Sequence, residues 1–433
     1  AEQVGAQTQL ARITRSVIQA QGEKAPLARM ADRISAIFVP VIIALSLITF
    51  LSWYLSGSSL SDAIVPAITL LVIACPCALV ISTPVAIYAA IGNASAKGAL
   101  VKGGKYIEAL ASIKAIALDK TRTITFGNPI VSDIFPLNGT SREELLACTA
   151  GAEIFSEHPL AQAIVDASKK EGFEPHKAEA FKSIMGKGAT AKCLVCEDET
   201  IYVGKLEFIK EHQPTDNEAE KIVEQLSSQG KTSVVVSFGD GVAGIIGLMD
   251  EIKPDSEAAL KELEALNIEP VMLTGDSEKA ANYVAQQVGI KKIFGNMLPE
   301  NKADKIKELL QEYKFVAMVG DGINDAPALA QSTVGIAMGA AGSDTAIETA
   351  NIALMNDKLS LIPFLIRLSQ KTLRRIKFNT IGAIAVKIIF ITLAFVGYSN
   401  LVFAIAADVG VTLIVILTSL NLMKFENKIA IAQ

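Results

Sequence analysis

The chain has 433 residues, 51% of them apolar, with 40 Lys and Arg against 45 Asp and Glu, a formal net charge of −5. That length is too great for one compact core, so several domains are expected, and the acidic balance argues against a nucleic-acid partner. Its 5 cysteines are no disulfide framework for a chain of this size, which points to a reducing cytosol for the soluble part.

Residues 1–33 are polar, and "TQLARITRSVIQAQ" within them is amphipathic at helical spacing. Two apolar runs follow, 34–54 and 63–91. No charge lies between Arg33 and Asp62, nor between Asp62 and Lys97. Two more runs, 381–397 and 401–423, close the chain. Each is long enough, or nearly so, to cross a hydrocarbon core of about 30 Å as a helix. The first run begins too late, is too long and lacks the small-residue site of a cleaved leader. The links inside each pair, "SGSSLSD" and "VGYSN", carry no Lys or Arg. The outer flanks are basic, with Lys97, Lys102, Lys105, Lys371, Arg374, Arg375, Lys377, Lys424 and Lys428. Basic flanks stay cytoplasmic, so the long polar segment between the pairs is expected in the cytoplasm.

That segment opens with "IKAIALDKT", an apolar strand ending on Asp119. From about residue 248 helices and strands alternate. "DSEAALKELEAL", "SEKAANYVAQQVG" and "KADKIKELLQEY" read as helices, and "EPVMLTGD" and "KFVAMVGDG" as strands. Alternation of this kind predicts a parallel sheet of Rossmann-like construction. Residues of about 127–247 interrupt it with strands of their own, so an inserted domain is expected. Three strands end in Asp119, Thr274-Gly275-Asp276 and Gly320-Asp321-Gly322. Ligands of open parallel sheets bind outside the carboxyl ends of the strands, so these ends should meet at one site.

Asp119 there could be a nucleophile, a metal ligand or a helix cap. A carboxylate can attack a phosphoryl group, and the transferred charge then needs cations and donors. Lys302 is a candidate cation, and Thr274 with the amides around Thr121 and Gly275 are candidate donors. Asp119 and Asp321 could hold Mg²⁺, which prefers oxygen ligands, with Asn324 and Asp325 ordering its shell. In the second apolar run, Pro76 breaks the helix between Cys75 and Cys77. Two thiolates beside freed carbonyls suit a soft ion such as Zn²⁺, Cd²⁺, Pb²⁺ or Cu⁺. Lys387 and Asp408 lie inside the last two runs, where ionisable groups are costly and functional by default. Asp408 can add an oxygen ligand, and Lys387 can pair with it when no metal is bound. A further pair, Cys193 and Cys196 in "CLVC", has no second pair beside it and reads as two ordinary strand or loop residues.

The stretches "CPCALVISTP" (75–84), "DKTRT" (119–123), "SEHPLA" (156–161), "MLTGD" (272–276) and "VGDGINDAPAL" (319–329) resemble the heavy-metal-transporting P-type ATPases, in the right order and over nearly the whole chain. The resemblance implies a multidomain membrane protein with α-helical hairpins. It also implies an α/β haloacid-dehalogenase-like phosphorylation domain interrupted by an α+β nucleotide-binding domain. The implied bounds are 1–33 for an actuator end and linker, 34–97 and 359–433 for the hairpins, 98–126 and 248–358 for the phosphorylation domain, and 127–247 for the insert. Asp119 becomes the phosphorylated residue, with Lys120, Thr121, Thr274, Gly275, Asp276 and Lys302 around it. Mg²⁺ falls to Asp119, Thr121, Asp321 and Asp325, and ATP to Glu153, His158, Gly186, Gly188 and Gly204. The transported ion falls to Cys75, Cys77 and Asp408, with Lys387 as counter-charge.

The copper branch usually has Tyr-Asn and Met-Ser-Ser in the last runs. Here they read "AVKII" and "ADVGVTL", so ATP-driven export of Zn²⁺, Cd²⁺ or Pb²⁺ across a bacterial plasma membrane is expected. A Cu⁺ exporter is the alternative. Two readings from other classes are a non-cycling metal sensor and a membrane-anchored phosphatase. No "TGE" actuator motif occurs. The first membrane helices and an N-terminal metal-binding domain are also wanting, so the rest of the pump is a possible partner, beside lipid and metal. Arg122 stands where the family pattern has glycine. It reaches the phosphates, or disturbs ATP or Mg²⁺, or points to solvent.

Overall fold

The computed structural model describes residues 26–73, 76–184, 186–196, 200–215, 217–239, 241–322, 324–339, 344–395 and 401–426. The expectations for residues 1–25 and for Cys75 lie outside the described residues. By internal contacts the chain forms two compact units. One is Ala115–Glu312 with Met318–Gln331, and the other is Ala1–Lys114, Tyr313–Ala317 and Ser332–Gln433.

In chain order the described strands are β1 (Ala99–Val101), β2 (Ala115–Asp119), β3 (Thr125–Pro136), β4 (Ala178–Ile184), β5 (Gly188–Cys193), β6 (Thr200–Gly204), β7 (Thr232–Phe238) and β8 (Gly241–Ile252). They continue with β9 (Glu269–Leu273), β10 (Lys292–Phe294), β11 (Val316–Gly320), β12 (Val334–Ala337) and β13 (Ile352–Leu354). A seven-stranded sheet has the order β1-β13-β12-β11-β2-β9-β10. β2 is buried at every position, as its unbroken apolar run requires of a strand covered on both faces. It runs parallel to β9, pairing Ala115 with Glu269 and Asp119 with Leu273, so the two strands end level. β9 in turn runs parallel to β10.

The segment between β2 and β9 folds into a six-stranded sheet of order β3-β8-β7-β6-β5-β4, with antiparallel pairs throughout. Its two faces carry separate cores. One is built around Leu145, Ile164, Val203 and Ile246, under the helices Arg142–Glu153 and Pro159–Lys170. The other is built around Phe208, Leu226, Val235 and Ile245. Alternation of side chains along each strand feeds both cores, so the expected insert has an interior of its own.

The apolar runs form helices Pro26–Leu55, Leu60–Ile73, Cys77–Ala96, Leu361–Phe395 and Leu401–Leu420. Among the described residues three spans, Leu60–Ala96, Leu361–Leu393 and Val402–Lys424, are long and apolar enough to cross a membrane, and Val39–Leu55 is a shorter apolar helix. Large apolar side chains on these helices face outward, among them Val402, Phe403 and Leu47. That is the pattern of helices solvated by lipid tails and not by water. Leu361–Phe395 has 35 residues, about 52 Å at 1.5 Å per residue, more than a hydrocarbon core needs. Its surplus carries Arg367, Lys371, Arg374, Arg375 and Lys377. The helix Cys77–Ala96 starts directly after Pro76, whose carbonyl accepts from the amides of Leu79 and Val80 at 3.0 Å. Pro76 thus stands at the N-terminal boundary of this helix.

Candidate functional site

Asp119 is the last residue of β2, and the sheet order sets β2 between β11 and β9. The chain segments leaving all three strands are those singled out in the sequence. Lys302 lies in the first turn of the helix Pro299–Tyr313, and its ammonium is buried. Its Nζ donates to Asp119 Oδ1 at 2.5 Å and to Asp325 Oδ1 at 2.7 Å. Asp325 is 1% exposed, just ahead of the helix Ala326–Gln331. Asp321, at the end of β11, accepts from the Asn324 amide at 3.2 Å. Thr274 is buried after β9, and its hydroxyl accepts from the Asp276 amide at 3.1 Å, across Gly275. Lys120 pairs with Asp276. Thr121 is exposed in the turn that follows Asp119.

Three carboxylates, Asp119, Asp321 and Asp325, act on one another here, and Lys302 bridges two of them. Burial pushes the Asp119 carboxyl up to about 7; the Asp325 charge adds to the rise, and Lys302 opposes it. Burial also raises Asp325, against the pull of Lys302. Burial alone would lower Lys302, but the two carboxylates outweigh it and hold the ammonium above its ordinary value. A hard divalent cation with oxygen ligands fits this excess of carboxylate charge. Lys302 engages Oδ1 of both Asp119 and Asp325.

Arg122 has φ +58° and ψ +4°, in the left-handed region. Its side chain is exposed and its stem lies over Gly127. This turn is clasped by residues the sequence reading missed. Thr125 Oγ1 donates to Asp250 Oδ2 at 2.5 Å, the Gly127 amide donates to Asp250 Oδ1 at 2.8 Å, and Lys253 Nζ donates to the Arg122 carbonyl at 3.0 Å. Asp250 and Lys253 are more than 120 residues away in sequence, and no local spacing announces them.

Glu153, His158, Gly186, Gly188 and Gly204 line one cavity of about 470 Å³, on the face of the six-stranded sheet covered by the first two helices. His158 caps the helix Pro159–Lys170, its Nδ1 accepting from the Leu160 amide at 3.2 Å, and Pro159 takes the first helical position. Burial raises the Glu153 carboxyl, opposed by a hydrogen bond from Ser156. Gly188 is required by close approach: a Cβ there would sit 2.2 Å from the Val203 carbonyl oxygen.

In the membrane hairpins, Lys387 Nζ donates to Asp408 Oδ1 at 2.7 Å. Both line a small cavity between Leu361–Phe395 and Leu401–Leu420, with Phe390 and Val411. Cys77 opens its helix, half-buried. The reading of Cys193 and Cys196 as ordinary residues needs correction, because the fold brings Cys148 and His176 to them. Those two come from a helix and a loop, and only the tertiary structure joins them to "CLVC".

The model for haloacid dehalogenase-like hydrolases matches residues 113–333. A cadmium-transporting ATPase of Staphylococcus aureus is 42% identical over 428 residues, covering 97% of this chain and 58% of that protein. A copper-exporting P-type ATPase of Staphylococcus saprophyticus subsp. saprophyticus is 40% identical over 399 residues, covering 92% of this chain and 49% of that protein. The chain thus spans about half to three-fifths of the length of these curated relatives. A crystal structure of a zinc-transporting PIB-type ATPase in the E2.Pi state aligns with TM-score 0.83 and 37% identity, over 97% of this chain and 68% of that one. With its haloacid dehalogenase-like core and its apolar hairpins, the chain belongs to the PIB branch of the P-type ATPases.

Proposed function

We propose that this chain is the catalytic and ion-conducting portion of an ATP-driven exporter of soft divalent metals, working through an aspartyl phosphate on Asp119. The observation that carries the reading is the buried Lys302 bridging Asp119 and Asp325 at the end of β2. In the proposed reaction an Asp119 carboxylate oxygen attacks the γ-phosphorus of ATP. The new bond joins that oxygen to phosphorus, the bond from phosphorus to the β–γ bridging oxygen breaks, and ADP leaves with the electron pair. Lys302 neutralises charge on the phosphoryl oxygens, and Thr274 with the amides near Thr121 and Gly275 donates to them. Asp119, Thr121 and Asp321, with Asp325 in the shell, would hold Mg²⁺, which would supply charge neutralisation. Asp325 holds Lys302 in place. The cavity lined by Glu153, His158, Gly186, Gly188 and Gly204 is the proposed ATP site.

For the ion, we assign Cys75, Cys77 and Asp408. The Lys387–Asp408 pair supports this, because an ammonium on the carboxylate keeps it compensated inside the membrane until a cation displaces it. Two thiolates and a carboxylate balance a divalent ion better than Cu⁺. The membrane is proposed to be the bacterial plasma membrane, with 98–358 on its cytoplasmic side and the domain bounds as expected from the sequence.

The test is phosphorylation by radiolabelled ATP and Mg²⁺, with and without Zn²⁺, Cd²⁺ or Cu⁺. The expected label is acid-stable, cleaved by hydroxylamine, absent in Asp119→Asn and increased by Zn²⁺ or Cd²⁺. Label raised by Cu⁺ alone would move the assignment to copper. Label indifferent to every metal would leave a phosphatase-like core without coupled transport.

A further inference from the structure

Four soft-metal ligands converge in the insert, away from the ATP cavity's glycines and independent of the pump reading. Cys148 Sγ lies 3.2 Å from His176 Nδ1, Cys196 Sγ 3.4 Å from it and Cys193 Sγ 3.7 Å from it. Cys148 and Cys196 have sulfurs 2.8 Å apart, and all four ligand atoms fall within 4.8 Å of one another. Zinc–sulfur bonds of about 2.3 Å and zinc–nitrogen bonds of about 2.05 Å, at tetrahedral angles, put sulfur and nitrogen roughly 3.6 Å apart and two sulfurs roughly 3.8 Å apart. The three sulfur–nitrogen distances bracket that value. The Cys148–Cys196 edge, at 2.8 Å, must open by about 1 Å to admit an ion.

The backbone around the cluster is already arranged. Cys148 is on the helix Arg142–Glu153, and Gly151 stands one turn farther on. A Cβ at Gly151 would lie 2.2 Å from the His176 carbonyl oxygen, so this glycine is what lets the His176 segment rest against the helix. The His176 amide donates to the Ala147 carbonyl at 2.9 Å, and Ala178 pairs with Cys193 in the β4–β5 register. Cys193 ends β5, and the Cys196 amide donates to Cys193 Sγ at 3.3 Å. An amide directed at the first sulfur of a Cys-x-x-Cys turn stabilises the thiolate that a metal needs. Cys148 and Cys193 are fully buried, beside Leu145, Ile164 and Ile246, while His176 and Cys196 are half-buried, which leaves a route for an ion. Four protein ligands with no open position describe a structural site.

We propose that Cys148, His176, Cys193 and Cys196 bind one soft divalent cation, Zn²⁺ or Cd²⁺, as a closed site of three thiolates and one imidazole that clasps the helix Arg142–Glu153 to the β4–β5 hairpin. The site is separate from the transported ion, so it predicts a second metal per chain.

The test uses the full chain in detergent, reduced with a phosphine, with Cys75→Ser and Cys77→Ser to remove the transport thiolates. Titration with Co²⁺ should then give the intense visible bands of tetrahedral cobalt and a sulfur-to-cobalt charge-transfer band in the near ultraviolet. Both should saturate at one equivalent and be displaced by Zn²⁺ or Cd²⁺. Adding Cys196→Ser or His176→Gln, at half-buried positions, should weaken the bands and the affinity by roughly tenfold or more. Cys148→Ser should abolish them, with circular dichroism checking its fold. No thiolate–cobalt band in the reduced background protein, or bands unchanged by Cys196→Ser and His176→Gln, would overturn the assignment. So would recovery of a Cys148–Cys196 disulfide in place of metal uptake under the same reducing conditions.

Discussion

For Asp119, burial and the Asp325 charge make the ionised carboxylate costly to the fold. Its carboxyl loses a proton near 4 when unfolded but only at about 7 when folded. Between those values the unfolded chain binds fewer protons, so this group lowers stability as pH rises from about 4 to about 7, and the loss is complete above that. Asp119→Asn removes the titration and the repulsion with Asp325. It is expected to raise the thermal midpoint at pH 8 by a few degrees, at about 2–4 °C per kcal/mol for a domain of this size, and to lose that advantage at pH 5. A pair of melting curves at the two pH values checks it; a midpoint lowered at both would mean that Asp119 mainly serves to anchor Lys302. Arg122 offers a second residue-scale test. A non-glycine residue in the left-handed region costs about 1–2 kcal/mol. Since its side chain points to solvent, Arg122→Gly is expected to stabilise the chain by roughly 1 kcal/mol with phosphorylation unchanged. A change of several-fold in label formation would show that the guanidinium reaches the phosphates after all.

At the scale of elements, the floor of the proposed ATP cavity depends on two strands meeting without side chains between them. Gly188→Val would drive β5 off β6 at the Val203 carbonyl. The expected cost is about 2–3 kcal/mol, with loss of binding of a fluorescent ATP analogue and no effect on metal binding in the hairpins. Retained nucleotide affinity would place ATP elsewhere. In the hairpins, Lys387→Met strips the counter-charge from Asp408. The carboxylate should then be freer for a cation but poorly compensated without one. Metal-stimulated phosphorylation is therefore expected to need less Zn²⁺ while the metal-free protein melts lower. Asp408→Asn should weaken activation by Zn²⁺ by roughly tenfold or more, read from the metal dependence of the label. The apolar helices and the strands β2, β9 and β11 were legible in the sequence because their patterns are local. The clasp of Asp250 and Lys253 on the Arg122 turn was not, because its partners are joined only by the β3–β8 pairing.

Over the whole molecule, the sequence by itself determined the class. Uncharged runs must be buried in lipid or core, alternating helices and strands must give a parallel sheet, and carboxylates at several strand ends must meet at one edge. The ordered motifs then pointed to the metal-pump family, and Asp119, Lys302, Lys387 and Asp408 could each be named from chain position and chemistry. Tertiary structure decided the pairings. That Lys302 bridges Asp119 and Asp325 and that Arg122 turns outward over Gly127 are matters of distance, and distance is not written in spacing, whereas the Lys387–Asp408 pair was expected from their place in the apolar runs. The cysteine cluster makes the difference plainest. "CLVC" looked ordinary because its two remaining ligands lie 45 and 17 residues before Cys193, on a helix and in a loop that approach only where Gly151 leaves room. A local motif is readable when neighbouring residues hold all of its chemistry; a site shared among three elements exists only after their backbones have packed.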